Sequence, residues 1–255
     1  MAAFPLMLPG TSRPPKLVVF DLDHTLIACD ATILWTEFLY EKKIVTDPIW
    51  RQYDRDMVKS YAKGVLDIRD FCRKHAGAFR SISEEKLHAL AQEFAKKKIA
   101  PLIFPDGKKW AKNALQANIP ACVLSASAAF IVKPIAKLFG LTDAMGIELA
   151  FKDGFCTGEI VGIPTFQEGK VERLSQRLAE AGIGFEDVLF FTDSRNDLPL
   201  AERAGYTVCV NPDAVLESAA RKNGWKVAEW KLSLRTQMTA QVDAKGVPET
   251  QTVRS

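Results

Sequence analysis

The sequence predicts an α/β fold: a parallel sheet with helices on both faces and a bundle of helices inserted after the first strand. Three observations predict it. Short apolar runs at 16–20, 121–124, 188–191 and 207–210 have the continuous hydrophobicity of strands buried on both sides. From Pro101 onward these runs alternate with helical stretches, the pattern of a parallel sheet. Between residues 30 and 100 the periodicity is helical, with no convincing strand.

The elements follow in order. A Pro-rich lead-in, 1–15, precedes a strand over 16–20 that ends at Asp21. In the helical block, Trp50, Tyr53, Met57, Val58 and Tyr61 fall on one stripe. Val65, Ile68, Phe71, Cys72 and His75 repeat it, as do Leu87, Leu90, Ala91 and Phe94. Breaks near Asp47-Pro48, Lys63-Gly64 and 77–83, where Ser81 or Ser83 can cap the next helix, divide the block into four helices. Its aromatics Trp35, Phe38, Trp50, Tyr53, Tyr61 and Phe71 are expected in the core of that bundle. Then come a strand at 121–124, a helix over 128–139 stopped at Gly140, and a hairpin over 147–160 around Asp153-Gly154. A helix over 170–181 turns Val171, Leu174 and Leu178 inward and ends at Gly182. A short helix near 197–204 separates the strands at 188–191 and 207–210. The core is thus 16–29 with 101–233, the insertion is 30–100, and the polar, aperiodic 234–255 is expected to be a flexible tail.

Composition excludes several classes. The chain has 255 residues, 47% hydrophobic and 25% charged, the balance of a soluble globular protein with one large domain or two modest ones. A net charge of +3, from 34 basic and 31 acidic residues, implies no nucleic-acid partner. No apolar run approaches the ~18 residues of a membrane span. Residues 1–9 are apolar but Pro-broken and lack a basic start, so a signal peptide is not expected. Cys29, Cys72, Cys122, Cys156 and Cys209 are scattered, and His24, His75 and His88 lie far apart, which argues against a zinc site or a disulfide framework. Reduced thiols and a cytoplasmic location are the expectation.

Ligands of an open α/β sheet gather at the carboxyl ends of its strands. The residues that follow the strands are Asp21, Asp23 and Thr25 after the first, Ser125 after the second, and Thr192, Asp193, Asn196 and Asp197 after the strand at 188–191; Lys170 opens the helix before it. Carboxylates brought so close repel one another unless a cation is present. An all-oxygen donor set suits Mg²⁺, which takes one or two carboxylates and leaves room for phosphate and water. Lysine and serine supply what phosphate oxygens accept, and a carboxylate not spent on metal can attack phosphorus. The chemistry points to phosphoryl transfer. An EF-hand is excluded, because Leu26 and Thr32 stand where its Gly and Glu belong. A phosphate loop at 162–170 has too long a spacing, with Val171 where Ser or Thr should stand.

FDLDHTL at 20–26, VLS at 123–125, Lys170 and TDSRND at 192–197 together resemble the four motifs of the haloacid dehalogenase-like phosphatase superfamily. The helical insertion directly after the first motif resembles the subgroup with a helical C1 cap (subfamily IB), which includes phosphoserine and histidinol-phosphate phosphatases. That resemblance implies a Rossmann-like core and a Mg²⁺-dependent phosphomonoesterase. Asp21 would be the nucleophile that forms an aspartyl-phosphate, and Asp23 the general acid and base. Asp21, the backbone carbonyl of Asp23 and Asp193 would hold Mg²⁺, with Asp197 supporting its waters. Ser125 and Lys170 would bind phosphoryl oxygens, and Asn196 would orient phosphate or substrate. Asp30, nine residues after Asp21, sits where phosphoserine phosphatases carry an acid that contacts the substrate ammonium. Here it is Asp and not Glu, and it can equally cap the first cap helix; the two readings are compatible.

The implied substrate is a small phosphate ester, such as histidinol phosphate or a phosphoserine-like amino-alcohol phosphate. A phosphotransferase with the same mechanism is not separable from sequence. A phospho-accepting receiver domain is opposed by Asp23, which it would not need, and by the length of the insertion. No feature fixes the oligomeric state.

Overall fold

The computed structural model describes residues 13–233. Most of the lead-in and the whole stretch 234–255 lie outside the described residues. Strand β1 (Leu17–Phe20) is buried at every position. The chain then leaves the sheet into four helices: α1 (Ala31–Glu41), α2 (Ile49–Lys63), α3 (Ile68–His75) and α4 (Glu84–Phe94). Local chemistry sets their ends. Asp30, Asp67 and Ser83 accept the first free backbone N–H groups of α1, α3 and α4, and Gly64 closes α2 in the left-handed conformation at φ 72°. Return to the core begins with α5 (Pro105–Gln116), whose first residue is a proline. Proline suits that position because its missing N–H has no partner there.

Strand β2 (Ala121–Ala128) feeds α6 (Ala129–Ala136), which ends through a 3₁₀ turn at Gly140. Strand β3 (Asp143–Ile147) joins the main sheet, while β4 (Leu149–Lys152) and β5 (Phe155–Ile160) pair as a separate antiparallel hairpin. Helix α7 (Glu168–Ala181) leads to β6 (Val188–Thr192), a 3₁₀ turn over Arg195–Asp197 and the short α8 (Leu198–Ala201). Strand β7 (Tyr206–Val210), α9 (Ala214–Asn223) and β8 (Lys226–Ala228) complete the described chain.

The six-stranded sheet has the order β3-β2-β1-β6-β7-β8 and is parallel throughout. Side chains of β1 alternate between two cores, as strand geometry requires. Val18 and Phe20 pack with α5, α6 and the cap helices α1 and α4 on one face, and Leu17 and Val19 with α7 and α8 on the other. The chain crosses from β1 to β2 on one side and later returns to β6 on the other, so β1 is the switch point at which ligands collect. Phe20 is level with Val123 and with Phe191, which brings the residues after β1 and β6 and the far part of β2 to one edge.

Candidate active site

Asp21 is fixed by its own N–H, which donates to the Phe191 carbonyl at 2.9 Å. Beyond it the chain leaves the extended conformation, because the Leu22 carbonyl accepts from the N–H groups of Thr25, Leu26 and Ile27. The turn sends the two aspartates to different surroundings. Asp21 Oδ1 accepts from Lys170 Nζ at 2.7 Å. Asp23 Oδ1 accepts from the Ala31 N–H at the start of α1 at 2.6 Å, and its Oδ2 from Ser127 Oγ at 2.8 Å and Ser125 Oγ at 3.2 Å.

Lys170 is 1% exposed and lies between Asp21 and Asp197, 2.7 Å from each. Thr192 Oγ1 donates to Asp197 at 2.7 Å and Thr25 Oγ1 to Asp193 at 3.0 Å. The approach to Lys170 is tight: a Cβ on Gly169 would stand 1.9 Å from the Pro164 carbonyl oxygen, and Gln167 holds a strained φ of 48°. The loop after β6 is tied down by Asp213, whose carboxylate accepts from the Arg195 N–H at 2.6 Å.

Burial, partly offset by Lys170, pushes the Asp21 carboxyl up to about 7, with Asp197 and Asp23 adding repulsion. Burial together with Asp21 and Asp197 raises Asp193 well above the carboxylate range. Lys170 moves the other way from its own burial penalty, because Asp197 and Asp21 hold its proton. Asp21 and Asp197 share the one ammonium of Lys170, Asp193 lies in the field of both, and the excess negative charge on hard oxygens fits a divalent cation such as Mg²⁺. Among the described residues no three His, Cys, Asp or Glu side chains form a ready-made metal cage. Mg²⁺ does not require one, since water and substrate phosphate commonly complete its shell.

The structure brings Asp21, Lys170 and Asp197 into contact, and Asp23 with Ser125. Asn196, expected to orient phosphate or substrate, is held by protein groups. Its Nδ2 donates to the Tyr61 carbonyl at 3.0 Å and to Ser194 Oγ at 3.3 Å, and its Oδ1 accepts from Gln167. Gln167 also donates to the Gly64 carbonyl, so these two side chains tie α2 to the core. Asp30 caps α1 through the Ile33 N–H, and burial and the charge of Asp23 push it up to about 7.

Several neighbours were not legible beforehand. Ser127 and Thr32, bonded to each other at 3.1 Å, extend the contacts of Asp23. Ser127 alternates with Ser125 along β2, and that spacing was the available signal. Tyr61, expected in the bundle core, instead packs on Phe166 at 5.8 Å, and the charges of Asp197, Asp21 and Asp193 add to burial in raising its hydroxyl. Trp35 and Phe38 do lie in the bundle, against Phe94.

A family model of haloacid dehalogenase-like hydrolases matches residues 18–202. A histidinol-phosphatase of Neisseria meningitidis is 36% identical over 220 residues, covering 85% of this chain and 99% of that protein. A solved structure of a Bordetella pertussis protein of unknown function superposes with a TM-score of 0.75 at 32% identity, over 83% of this chain and 96% of that one. A phospho-aspartyl intermediate analogue of phosphoserine phosphatase, 21% identical, shares the fold with a TM-score of 0.63 over 89% and 99% of the two chains.

Proposed function

The chain belongs to the haloacid dehalogenase-like hydrolases as an enzyme of the phosphatase type, and we propose that it hydrolyses a small amino-alcohol phosphate through a phospho-aspartate at Asp21. One observation carries this reading: two aspartates two residues apart sit in opposite environments, one against a buried ammonium and one among neutral donors. Asp21 Oδ attacks phosphorus as the ester oxygen leaves, and that oxygen takes its proton from Asp23. Asp23 then removes a proton from the water that attacks the acyl phosphate, which releases inorganic phosphate and restores the Asp21 carboxylate.

Lys170 remains charged throughout and offsets the negative charge that builds on the phosphoryl oxygens; Ser125, whose hydroxyl donates to Asp23, would supply a second donor to them. Asp21, Asp193 and the Asp23 carbonyl would hold Mg²⁺, with Asp197 locked to Lys170 and Thr192 behind them. When bound, the ion neutralises the phosphate and orients it for in-line attack. Both amide hydrogens of Asn196 are committed to Tyr61 and Ser194, so its part is to seat the cap, and a phosphate contact would require one of these bonds to release.

Asp30 beside Asp23 supports a cationic leaving group, in keeping with the substrate named for the Neisseria relative. The reaction needs no nucleic-acid or membrane partner, and among the described residues no helix is long and apolar enough to cross a membrane. Five free thiols suit a reducing cytoplasm. The test is phosphate release from histidinol phosphate, phosphoserine, phosphoethanolamine and an aryl phosphate, with Mg²⁺ and with EDTA. Turnover that requires Mg²⁺ and favours one amino-alcohol ester is expected. Release from the aryl ester alone would discard the substrate class, and no release from folded protein would discard the reaction.

A further inference from the structure

Helix α9 starts at a residue that does more than cap it. Asp213 Oδ1 accepts from the N–H groups of Val215 and Leu216, each at 2.9 Å, which satisfies the first turn. Serine could do as much. The side chains of Asp30, Asp67 and Ser83, which cap α1, α3 and α4, accept from their own helices. Asp213 has a second oxygen to place, and Oδ2 accepts from the Arg195 N–H, far back in the chain, at 2.6 Å. Its own backbone N–H donates to the Asp193 carbonyl at 2.9 Å. One residue thus grips the segment 193–195 at both ends, with its main chain and with its carboxylate.

The other bonds of this loop are local. The Ser194 N–H donates to Thr192 Oγ1, the Asn196 N–H to Ser194 Oγ and the Asp197 N–H to the Ser194 carbonyl. They give the turn its shape, whereas the Arg195 N–H is met from another segment. Asp213 is in turn held from the sheet. Asn211, at a φ of 44° that asparagine tolerates, donates from Nδ2 to the Trp230 carbonyl at 3.1 Å and accepts from the Trp230 N–H at 3.0 Å. Trp230 is buried against Phe191 and Phe104. The line of support therefore runs from the aromatic core through Asn211 and Asp213 to Asp193, whose side chain is met from the opposite direction by Thr25.

We propose that Asp213 is a positioning residue for Asp193: its carboxylate sets where the Asp193 carboxylate stands for the divalent cation, a task separate from capping α9. The inference rests on the reading of Asp193 as a ligand of Mg²⁺, and Asp213 lies outside the four sequence motifs. The two tasks need two acceptors on one short side chain. Serine has one oxygen, and asparagine would turn an N–H either against the Arg195 N–H or against the cap. Aspartate alone meets both.

The experiment measures the Mg²⁺ concentration that gives half of the Mg²⁺-induced rise in Tm, a readout of binding that needs no turnover. It is run in about 0.5 M KCl, where the pull of an exposed carboxylate on the ion is screened and a change in position is not. Asp213→Ser keeps an acceptor for the cap and loses the one for Arg195. Its midpoint should lie about tenfold above the parent's, the worth of one hydrogen bond to a charged group. Asp67→Ser, the same change at the cap of α3, should leave the midpoint where it is. An unchanged midpoint in Asp213→Ser, or an equal rise in both variants, overturns the role of Asp213 and leaves Asp193 as a ligand. A parent that Mg²⁺ does not stabilise overturns the metal reading and this inference with it. Melts in EDTA check that the variants fold; should Asp213→Ser not, Asp213→Asn is read by the same midpoint.

Discussion

Replacing Asp21 by asparagine should abolish turnover and at the same time stabilise the metal-free protein, more at pH 8 than at pH 5.5. The magnitude follows from burial. The Asp21 carboxyl, 5% exposed, titrates at about 7 in the folded chain, against 3.8 as a free side chain. A folded pKa raised above the unfolded one gives stability that is complete below the unfolded value and lost as pH rises through the folded value. At about 1.4 kcal/mol per tenfold change in proton affinity, ionising Asp21 costs the fold about 2 kcal/mol at pH 5.5 and about 4 kcal/mol at pH 8. Asparagine does not titrate. It forfeits the bond from Lys170, whose pull on the ionised carboxylate is already contained in the value of about 7, and Lys170 keeps Asp197. The advantage of Asp21→Asn over the parent should therefore grow by about 2 kcal/mol between pH 5.5 and pH 8, about 4–8 °C in Tm for a chain of this size. Melts in EDTA at the two pH values measure it, with phosphate release as the companion assay. Adding Mg²⁺ should close the gap in the parent by stabilising ionised Asp21. An advantage that shrinks toward pH 8, or turnover within about a thousandth of the parent's, would refute the reasoning.

Two further outcomes are expected. A Cβ on Gly146 would stand 2.8 Å from the Ser127 carbonyl oxygen and from Ala129 Cα, backbone atoms that cannot give way cheaply. Gly146→Ala should cost about 1–3 kcal/mol and, by displacing the strand that carries Ser127, lower kcat more than it raises KM; an unchanged Tm with unchanged kcat would contradict this. His75 is buried and pushed down from 6.5 to about 4, so its contribution to stability is present above pH 6.5 and lost as pH falls toward 4. Urea melts across that window should show the parent losing up to about 3 kcal/mol more than His75→Gln, and parallel curves would show that His75 does not titrate in the fold.

How much of this could be read from the sequence depended on how strongly each element announces itself. The four inner strands are continuous apolar runs because both their faces are covered, and they were legible. Strand β3 was not: Asp143, Ala144 and Gly146 dilute its apolar pattern at the sheet edge, and the hairpin predicted from residue 147 begins only at Leu149. Strand β8 is an edge strand of three residues, too short for any period. Helix α5 was hidden by Pro105 and Gly107, which look like breakers, although proline at the first helical position is a start signal. In the site, Asp21, Asp193 and Asp197 were findable because they follow strands. Ser127 was not, because β2 continues to Ala128 through an irregular register that the apolar run ending at Leu124 does not reveal. The stripe on α2 told which face is apolar but not which layer it meets, and so misplaced Tyr61.

The different surroundings of Asp21 and Asp23 are a consequence of backbone geometry. Had β1 continued as a strand, residues two apart would have shared one face and one environment. Three N–H groups converge on the Leu22 carbonyl and end the strand there, so Asp23 swings toward β2 and the start of α1 while Asp21 stays beside α7. The proposed nucleophile attacks in its ionised form, and Lys170 is the group that favours that form. The acid and base proposed here must gain and lose a proton, and the groups that orient Asp23 are hydroxyl and amide donors, not an ammonium. Of those donors the serines belong to the core and the Ala31 N–H to the cap. The orientation of Asp23 Oδ2 is thus set by the sheet, and that of Oδ1 by whether α1 is seated. Asn196 and Gln167, holding the carbonyls of Tyr61 and Gly64, fasten the far end of the same cap to the loop that carries Asp193 and Asp197. The inserted helices are therefore anchored at both halves of the site, beside the proposed proton donor Asp23 and beside the carboxylates that would hold the metal.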